Sequence, residues 1–277
     1  MTAGDVRAGH RLPRYLAFEP RPRAAARLYC FPYAGGAATV YRQWQGVVPP
    51  DLELRSCQPP GRQDRLDEPA VTDASALAAL LADDLQDEGD DRPFALFGHS
   101  MGALIAYELA RELQRRGAAM PAVVAVSGRS SPLATGPRTH LHLLPTPDLL
   151  SALAHLGGLP REVLAVPELM ELLLPTLRAD LELAETHRPA AAREPLGCPL
   201  VVFGGADDPL VDVGGLPAWQ ECSRHPISVR VFPGDHFFLW PVGAELIRTI
   251  ASRLPHRAAR PVEPQVERSA GGEVPPA

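Results

Sequence analysis

Ser100 is the side chain on which the chemistry of this sequence turns. It stands in Gly98-His99-Ser100-Met101-Gly102, after the apolar run Phe94–Phe97 and before a helical pattern from Ala103 to Arg116. Gly-x-Ser-x-Gly between a strand and a helix is a nucleophile elbow: the serine sits in a strained turn, its Oγ exposed above the sheet. Glycine is needed two residues to either side, because a Cβ there would collide with neighbouring backbone. A serine hydroxyl is a poor nucleophile at neutral pH and needs a base to take its proton. The chemistry this implies is attack on an acyl carbonyl, and three further groups should be present.

The base is sought among nine histidines. His236 follows the last strand through Phe232-Pro233-Gly234-Asp235, a tight turn at the end where strands deliver catalytic groups. His10 and His256 lie in the terminal segments, His155 and His187 in a leucine-rich insertion, and His225 precedes its strand at the opposite edge of the sheet. His99 adjoins Ser100 but points away from it. A carboxylate must then hold the imidazole in the right tautomer, and the order Ser, Asp, His places it between the two. The strand Leu200–Phe203 leads into Gly204-Gly205-Ala206-Asp207-Asp208-Pro209-Leu210-Val211. Spacing from Gly205 selects Asp208, with Val211 anchoring the loop; spacing from Gly204 selects Asp207, with Leu210 as anchor. Asp208 is the preferred reading. An oxyanion hole needs two amides. Met101 N–H supplies one, and Ala34, in Phe31-Pro32-Tyr33-Ala34-Gly35-Gly36, is the choice for the other, with Tyr33 as its neighbour.

The elements that must position these groups alternate along the chain. Strands are expected at Leu28–Phe31, Leu52–Cys57, Phe94–Phe97, Ala122–Ser127, Leu200–Phe203 and Ile227–Phe232. Helical patterns cover Thr39–Val48, Thr72–Gln86, Pro217–Cys222 and Ala244–Leu254 besides the elbow helix; Leu77, Leu80, Leu81 and Leu85 form one stripe at helical spacing. Nearly all-apolar strands alternating with helices predict an α/β architecture, a mostly parallel central sheet covered on both faces. Residues 129–193 break the alternation. Thirteen leucines fall between Asp148 and Leu183, interrupted by Gly157-Gly158-Leu159-Pro160, Pro167 and Pro175. Several short helices forming a lid over the serine, at about 130–193, are expected there. Residues 1–24 and 255–277 are rich in Pro, Arg, Glu and Gly and read as a disordered leader and tail around one domain spanning 25–254.

Composition narrows the setting. A chain of 277 residues with 45% hydrophobic and 22% charged residues describes one ordinary globular domain. No apolar run reaches the length needed to span a bilayer, and Arg7–Arg27 lacks the apolar stretch of a signal peptide, so a cytoplasmic protein is expected. Cys30, Cys57, Cys198 and Cys222 form no Cys-x-x-Cys pair and read as buried free thiols, with neither disulfide nor metal implied. A net charge of −6 argues against nucleic acid. All 27 basic residues are arginine, which a GC-rich coding bias explains.

Taken together, these residues resemble the type II thioesterases, the stand-alone editing enzymes of polyketide and nonribosomal peptide synthesis, within the α/β-hydrolase superfamily. The similarity spans roughly 26–254. It rests on Phe31–Gly36, Pro60-Gly61-Arg62-Gln63-Asp64-Arg65, Gly98–Gly102, Gly157–Pro160 and Gly234-Asp235-His236-Phe237-Phe238-Leu239. The Pro-Gly-Arg-Gln-x-Arg block is the most diagnostic. From its residues alone it reads as a charged loop, with Arg62 and Arg65 solvated or paired with Asp64, Asp67 or Glu68. The family often has histidine at the position of Tyr33; a backbone role there is independent of the side chain.

The resemblance implies hydrolysis of acyl groups from the phosphopantetheine arm of an acyl or peptidyl carrier protein. Ser100, Asp208 and His236 would be the catalytic residues, and Ala34 and Met101 the oxyanion hole. It implies no bound cofactor, since the arm belongs to the partner, and a monomer without nucleic-acid or membrane partners is expected. Carrier proteins are acidic, as this chain is, so docking calls for an arginine-bearing or apolar patch near the lid, with Arg129, Arg138 and Arg161 as candidates. A free carboxylesterase or lipase with the same groups, an acyl transferase, and a binding protein on a hydrolase scaffold are the competing readings.

Overall fold

The computed structural model describes residues 14–134, 140–157, 166–189 and 194–255. Strands β1 (Tyr15–Leu16), β2 (Ala26–Phe31), β3 (Leu52–Cys57), β4 (Phe94–His99), β5 (Val123–Ser127), β6 (Leu200–Gly205) and β7 (Ser228–Phe232) form one sheet in the order β1-β3-β2-β4-β5-β6-β7. Every pairing is parallel except β1 with β3. Val123-Val124-Ala125-Val126-Ser127 is buried throughout, as a strand covered on both faces must be. Each such valine contributes about 1.5–3 kcal/mol by leaving water.

The helices are α1 (Ala74–Asp87), α2 (Met101–Arg116), α3 (Thr146–His155), α4 (Pro167–Thr186) and α5 (Gly243–Ala251). α1 and α2 pack on one face with the 3-10 segment Val213–Cys222, burying Leu77, Leu81, Leu104, Leu109 and Trp219. The 3-10 segment Ala38–Val47 and α5 cover the other, around Trp44, Phe97, Phe203 and Ile247. Local signals set the helix ends. The Asp73 carboxylate accepts the Ala76 N–H at the start of α1, and Gly117, with φ of +64°, closes α2 behind Arg115 and Arg116. The expected strands are present with ends shifted by a few residues, as are the helices expected over 72–86, 103–116 and 244–254; Thr39–Val48 and Pro217–Cys222 fall on 3-10 segments instead.

Two expectations need correction. Residues 14–24 are not a disordered leader: Tyr15 is buried, pairs with Cys57 across the sheet edge and donates its hydroxyl to Leu81 O at 2.9 Å. Arg21 donates to the carbonyls of Val48 and Pro49. A two-residue strand is too short to leave a periodic signal. Residues 1–13 and 256–277 lie outside the described residues, as do Arg138, Arg161, Leu159 and Pro160.

The insertion is also less broken than its prolines suggest. It holds the 3-10 turn Leu141–Leu143, α3, and the twenty-residue α4, which runs straight through Pro175. A proline inside a helix costs about 3 kcal/mol, mostly through a lost hydrogen bond and a steric clash. Here the burial of Met170, Leu177, Leu181 and Leu183 offsets it. Leu149, Leu153, Leu177 and Leu181 form a cluster of their own, against which Ala34 packs.

Candidate active site

β4 is the central strand, and its last residue leads into Ser100 at φ +55° and ψ −114°, one of two non-glycine residues with positive φ among those described. The turn leaves no room around it. A Cβ on Gly98 would lie 1.9 Å from Gly102 O, and one on Gly102 would lie 2.0 Å from Phe31 O. The strain at Ser100 is thus held by backbone packed against backbone. Ser100 N–H donates to Ser127 O at 2.8 Å, tying the turn to β5. Phe31 stands in register with Gly98, so the segment 32–36 leaves β2 at the height where β4 bends into α2. The Ala34 amide donates no hydrogen bond among the described residues. Met101 N–H opens α2, where the first turn has no intrahelical acceptor.

The turns after β6 and β7 meet. His236 Nδ1 lies 2.8 Å from Asp208 Oδ2, both side chains buried. Asp208 Oδ1 accepts the Leu210 N–H at 2.9 Å, so its carboxylate is oriented by its own loop. Asp207 is exposed and faces solvent, and Val211 is buried where Leu210 is not. Of the two spacings open in the sequence, the geometry follows the one that ends on Asp208. Gly205 allows the meeting, because a Cβ there would come within 2.4 Å of Asp235 O.

Ser100 and His236 line one cavity of about 700 Å³ with Arg129, Leu181, Glu185 and Val211. No direct hydrogen bond joins Ser100 to His236 among the described residues. Such contacts tighten when substrate is bound. Of the other described histidines, only His187 also lines this cavity. His225 bonds Gly197 O at the far end of the sheet, His155 is exposed on α3, and His187 packs beside Glu108. The His99 ring turns toward β5, its Nδ1 3.0 Å from Ser127 Oγ. Burial pushes its imidazole well below the usual range, and the neighbouring His236 adds to the shift. The four cysteines are buried and free; burial raises Cys57 to about 12 and Cys198 to about 11. Among the described residues no cluster of His, Cys, Asp and Glu could hold a metal.

The loop Pro60–Arg65 follows the expected pairing at Arg65 but not at Arg62. Arg65 pairs with Glu68, one of its expected partners. Arg62 is neither solvated nor paired within its loop: it reaches across to Asp180 on α4, with both nitrogens at 2.7 Å. The two residues lie 118 positions apart, and no local pattern could have joined them. Arg129 is half-buried, donates to Ala184 O and lines the cavity.

A mostly parallel sheet with a strained serine after its central strand, and a carboxylate and an imidazole on the turns after its last two strands, defines the α/β-hydrolase class. The chain belongs to the thioesterase family, whose thioesterase-domain profile matches residues 26–254. It is 38% identical over 231 residues to the gramicidin S biosynthesis protein GrsT of Aneurinibacillus migulanus, covering 83% of this chain and 90% of that one. Among solved structures it resembles RedJ, the thioesterase of the prodiginine pathway in Streptomyces coelicolor, with 37% identity, a TM-score of 0.78 and coverage of 85% and 88%. It also resembles BorB, the type II thioesterase of the borrelidin cluster, with 34% identity, a TM-score of 0.80 and coverage of 88% and 98%. Among the described residues no helix is long and apolar enough to cross a membrane.

Proposed function

We propose that this chain is a serine thioesterase that hydrolyses acyl groups from the phosphopantetheine arm of acyl or peptidyl carrier proteins, clearing stalled or misprimed carriers of a polyketide or nonribosomal peptide synthase. The observation that carries it is the 2.8 Å contact of buried Asp208 with His236, whose ring lines the same cavity as Ser100, in a chain of the thioesterase family. Ser100 Oγ attacks the thioester carbonyl while His236 Nε2 takes its proton. Asp208 holds Nδ1–H and stabilises the imidazolium. The Ala34 and Met101 amides receive the negative charge on the former carbonyl oxygen. The carbon–sulfur bond breaks, and His236 gives the proton taken from Ser100 to the departing sulfur, which leaves as the thiol and returns the imidazole to its basic form. Water, deprotonated by His236, then attacks the acyl-enzyme; Ser100 regains its proton and the free acid departs.

α3 and α4 are the lid in this reading. Leu141 of the preceding 3-10 turn and Leu181 and Ala184 of α4 wall the cavity, and Leu169 and Leu172 are exposed on α4 as apolar contacts for the carrier. The arm arrives on the partner, so the chain needs no cofactor of its own. An acylated carrier protein incubated with enzyme and followed by mass spectrometry tests the proposal. Wild type should remove the acyl mass while Ser100→Ala, slower by at least about 10³-fold, leaves it. Faster turnover of p-nitrophenyl esters than of acyl-carrier would favour the carboxylesterase reading instead.

A further inference from the structure

Arg62 and Asp180 are both buried, and their bidentate pairing joins the Pro-Gly-Arg-Gln block to α4 through opposite charges. A buried ion pair is a weak source of stability, since desolvation of both groups consumes most of the attraction. What this pair touches is more informative. Asp180 Oδ2 also accepts the Gly35 N–H at 2.7 Å, and Arg62 Nη1 also donates to Gly36 O at 2.8 Å. Gly36 N–H donates to Tyr33 O at 2.9 Å, and Gly35 has φ of +77°, so residues 33–36 form a tight turn with Ala34 at its first corner. Leu177, one turn before Asp180 on α4, lies 3.0 Å from where a Gly35 Cβ would stand. Thr176 Oγ1 donates to Gly61 O at 2.6 Å, fixing α4 to the loop that carries Arg62.

We propose that Arg62 and Asp180 are positioning residues that hold the Ala34 amide in the oxyanion hole, coupling the seating of α4 to the geometry of that hole. This rests on the Ser100 hydrolase reading above. Two peptide groups of the turn are anchored to a single ion pair, one to each member. Ala34 therefore keeps its place only while α4 is docked. Charge matters as well as geometry. A bare carboxylate bonded to the amide next to Ala34 would oppose the developing oxyanion, and the Arg62 guanidinium neutralises it. Substrate entry that displaces α4 would switch the hole off, and closure would restore it.

The test compares wild type, Asp180→Ala, Arg62→Gln and the double variant Arg62→Gln/Asp180→Asn. An acyl-N-acetylcysteamine thioester serves as substrate and an alkylboronic acid as a tetrahedral, anionic mimic of the transition state on Ser100. In Asp180→Ala and Arg62→Gln, kcat should fall about 10- to 100-fold with KM within threefold, and the boronate Ki should rise in parallel. The double variant keeps an acceptor for Gly35 N–H without a buried charge, so it should recover to within about fivefold of wild type in both quantities. A merely structural pair would lower the folded fraction, seen by circular dichroism, without moving kcat and Ki together. The proposal is overturned if folded Asp180→Ala keeps kcat and Ki within twofold of wild type, or if KM alone moves. Should that variant not fold, a loss above about 30-fold in kcat for the folded double variant overturns it. Wild type without Ser100-dependent thioester turnover would mark failure of the underlying reading instead.

Discussion

The imidazole of His99 lies against that of His236, their ring centroids 4.8 Å apart and their planes at 48°. His99 is enclosed by Ser127, Gly128, Tyr33, Phe237 and Phe238, with no carboxylate among these neighbours. Two adjacent imidazoles cannot both be charged cheaply, and His99 is the one whose burial keeps it neutral.

That arrangement fixes the sign of a pH effect. Burial holds the folded-state pKa of His99 well below the ordinary histidine value of about 6.5. Above that pH neither state holds the proton; below it the unfolded chain binds a proton that the fold refuses. Stability should therefore decline as pH drops through 6.5, with a slope from this residue of at most about 1.4 kcal/mol per pH unit. His99→Gln, which can still bond Ser127, should show a shallower decline in urea titrations between pH 6.5 and 5. Equal slopes in the two proteins would contradict the account.

The neighbouring aspartates should behave as opposites. Asp208→Asn keeps the shape but presents the wrong partner to Nδ1, and kcat/KM for an acyl thioester should drop about 10³- to 10⁴-fold. Asp207 is exposed, and Asp207→Asn should stay within twofold. Comparable losses in both would mean that the acid had been misassigned.

Gly102→Ala places a methyl 2.0 Å from Phe31 O, backbone that cannot step aside. It should cost more than about 4 kcal/mol or prevent folding. Gly46→Ala, with nothing within 4 Å of the new methyl, should leave the melting temperature unchanged or slightly raised. Thermal melts of the two variants side by side check this contrast.

Tyr15 lies in a stretch with no sequence signal, yet Tyr15→Ala should cost about 3–5 kcal/mol, as aromatic truncations in cores do. Tyr15→Phe, losing only the bond to Leu81 O, should cost about 1 kcal/mol. Chemical denaturation would separate the two, and a neutral Tyr15→Ala would return residues 14–24 to the status of a loose leader.

The contrast between Asp208 and Tyr15 shows what was legible. Elbow, acid loop and histidine turn are each written in fewer than ten consecutive residues, because each is a tight turn whose glycines have no substitute. The six longer strands were legible from apolar runs bounded by turn residues, and their parallel pairing from the helices between them. Tyr15–Leu16 escaped because two residues have no period, and α4 because Pro175 reads as a break while the leucine face that overrides it is a tertiary fact. Arg62 with Asp180 escaped for a different reason. Charges show in sequence, but which opposite charge is met depends on how α4 is laid over the loop after β3.

The short antiparallel strand at the rim of the sheet has a consequence for the solution behaviour of this protein. Without β1, the outer side of β3 would offer free amide and carbonyl groups to any extended chain nearby, the template on which fibrillar association begins. Two residues, fastened by one aromatic ring, stand as the barrier to that fate on this flank of the enzyme.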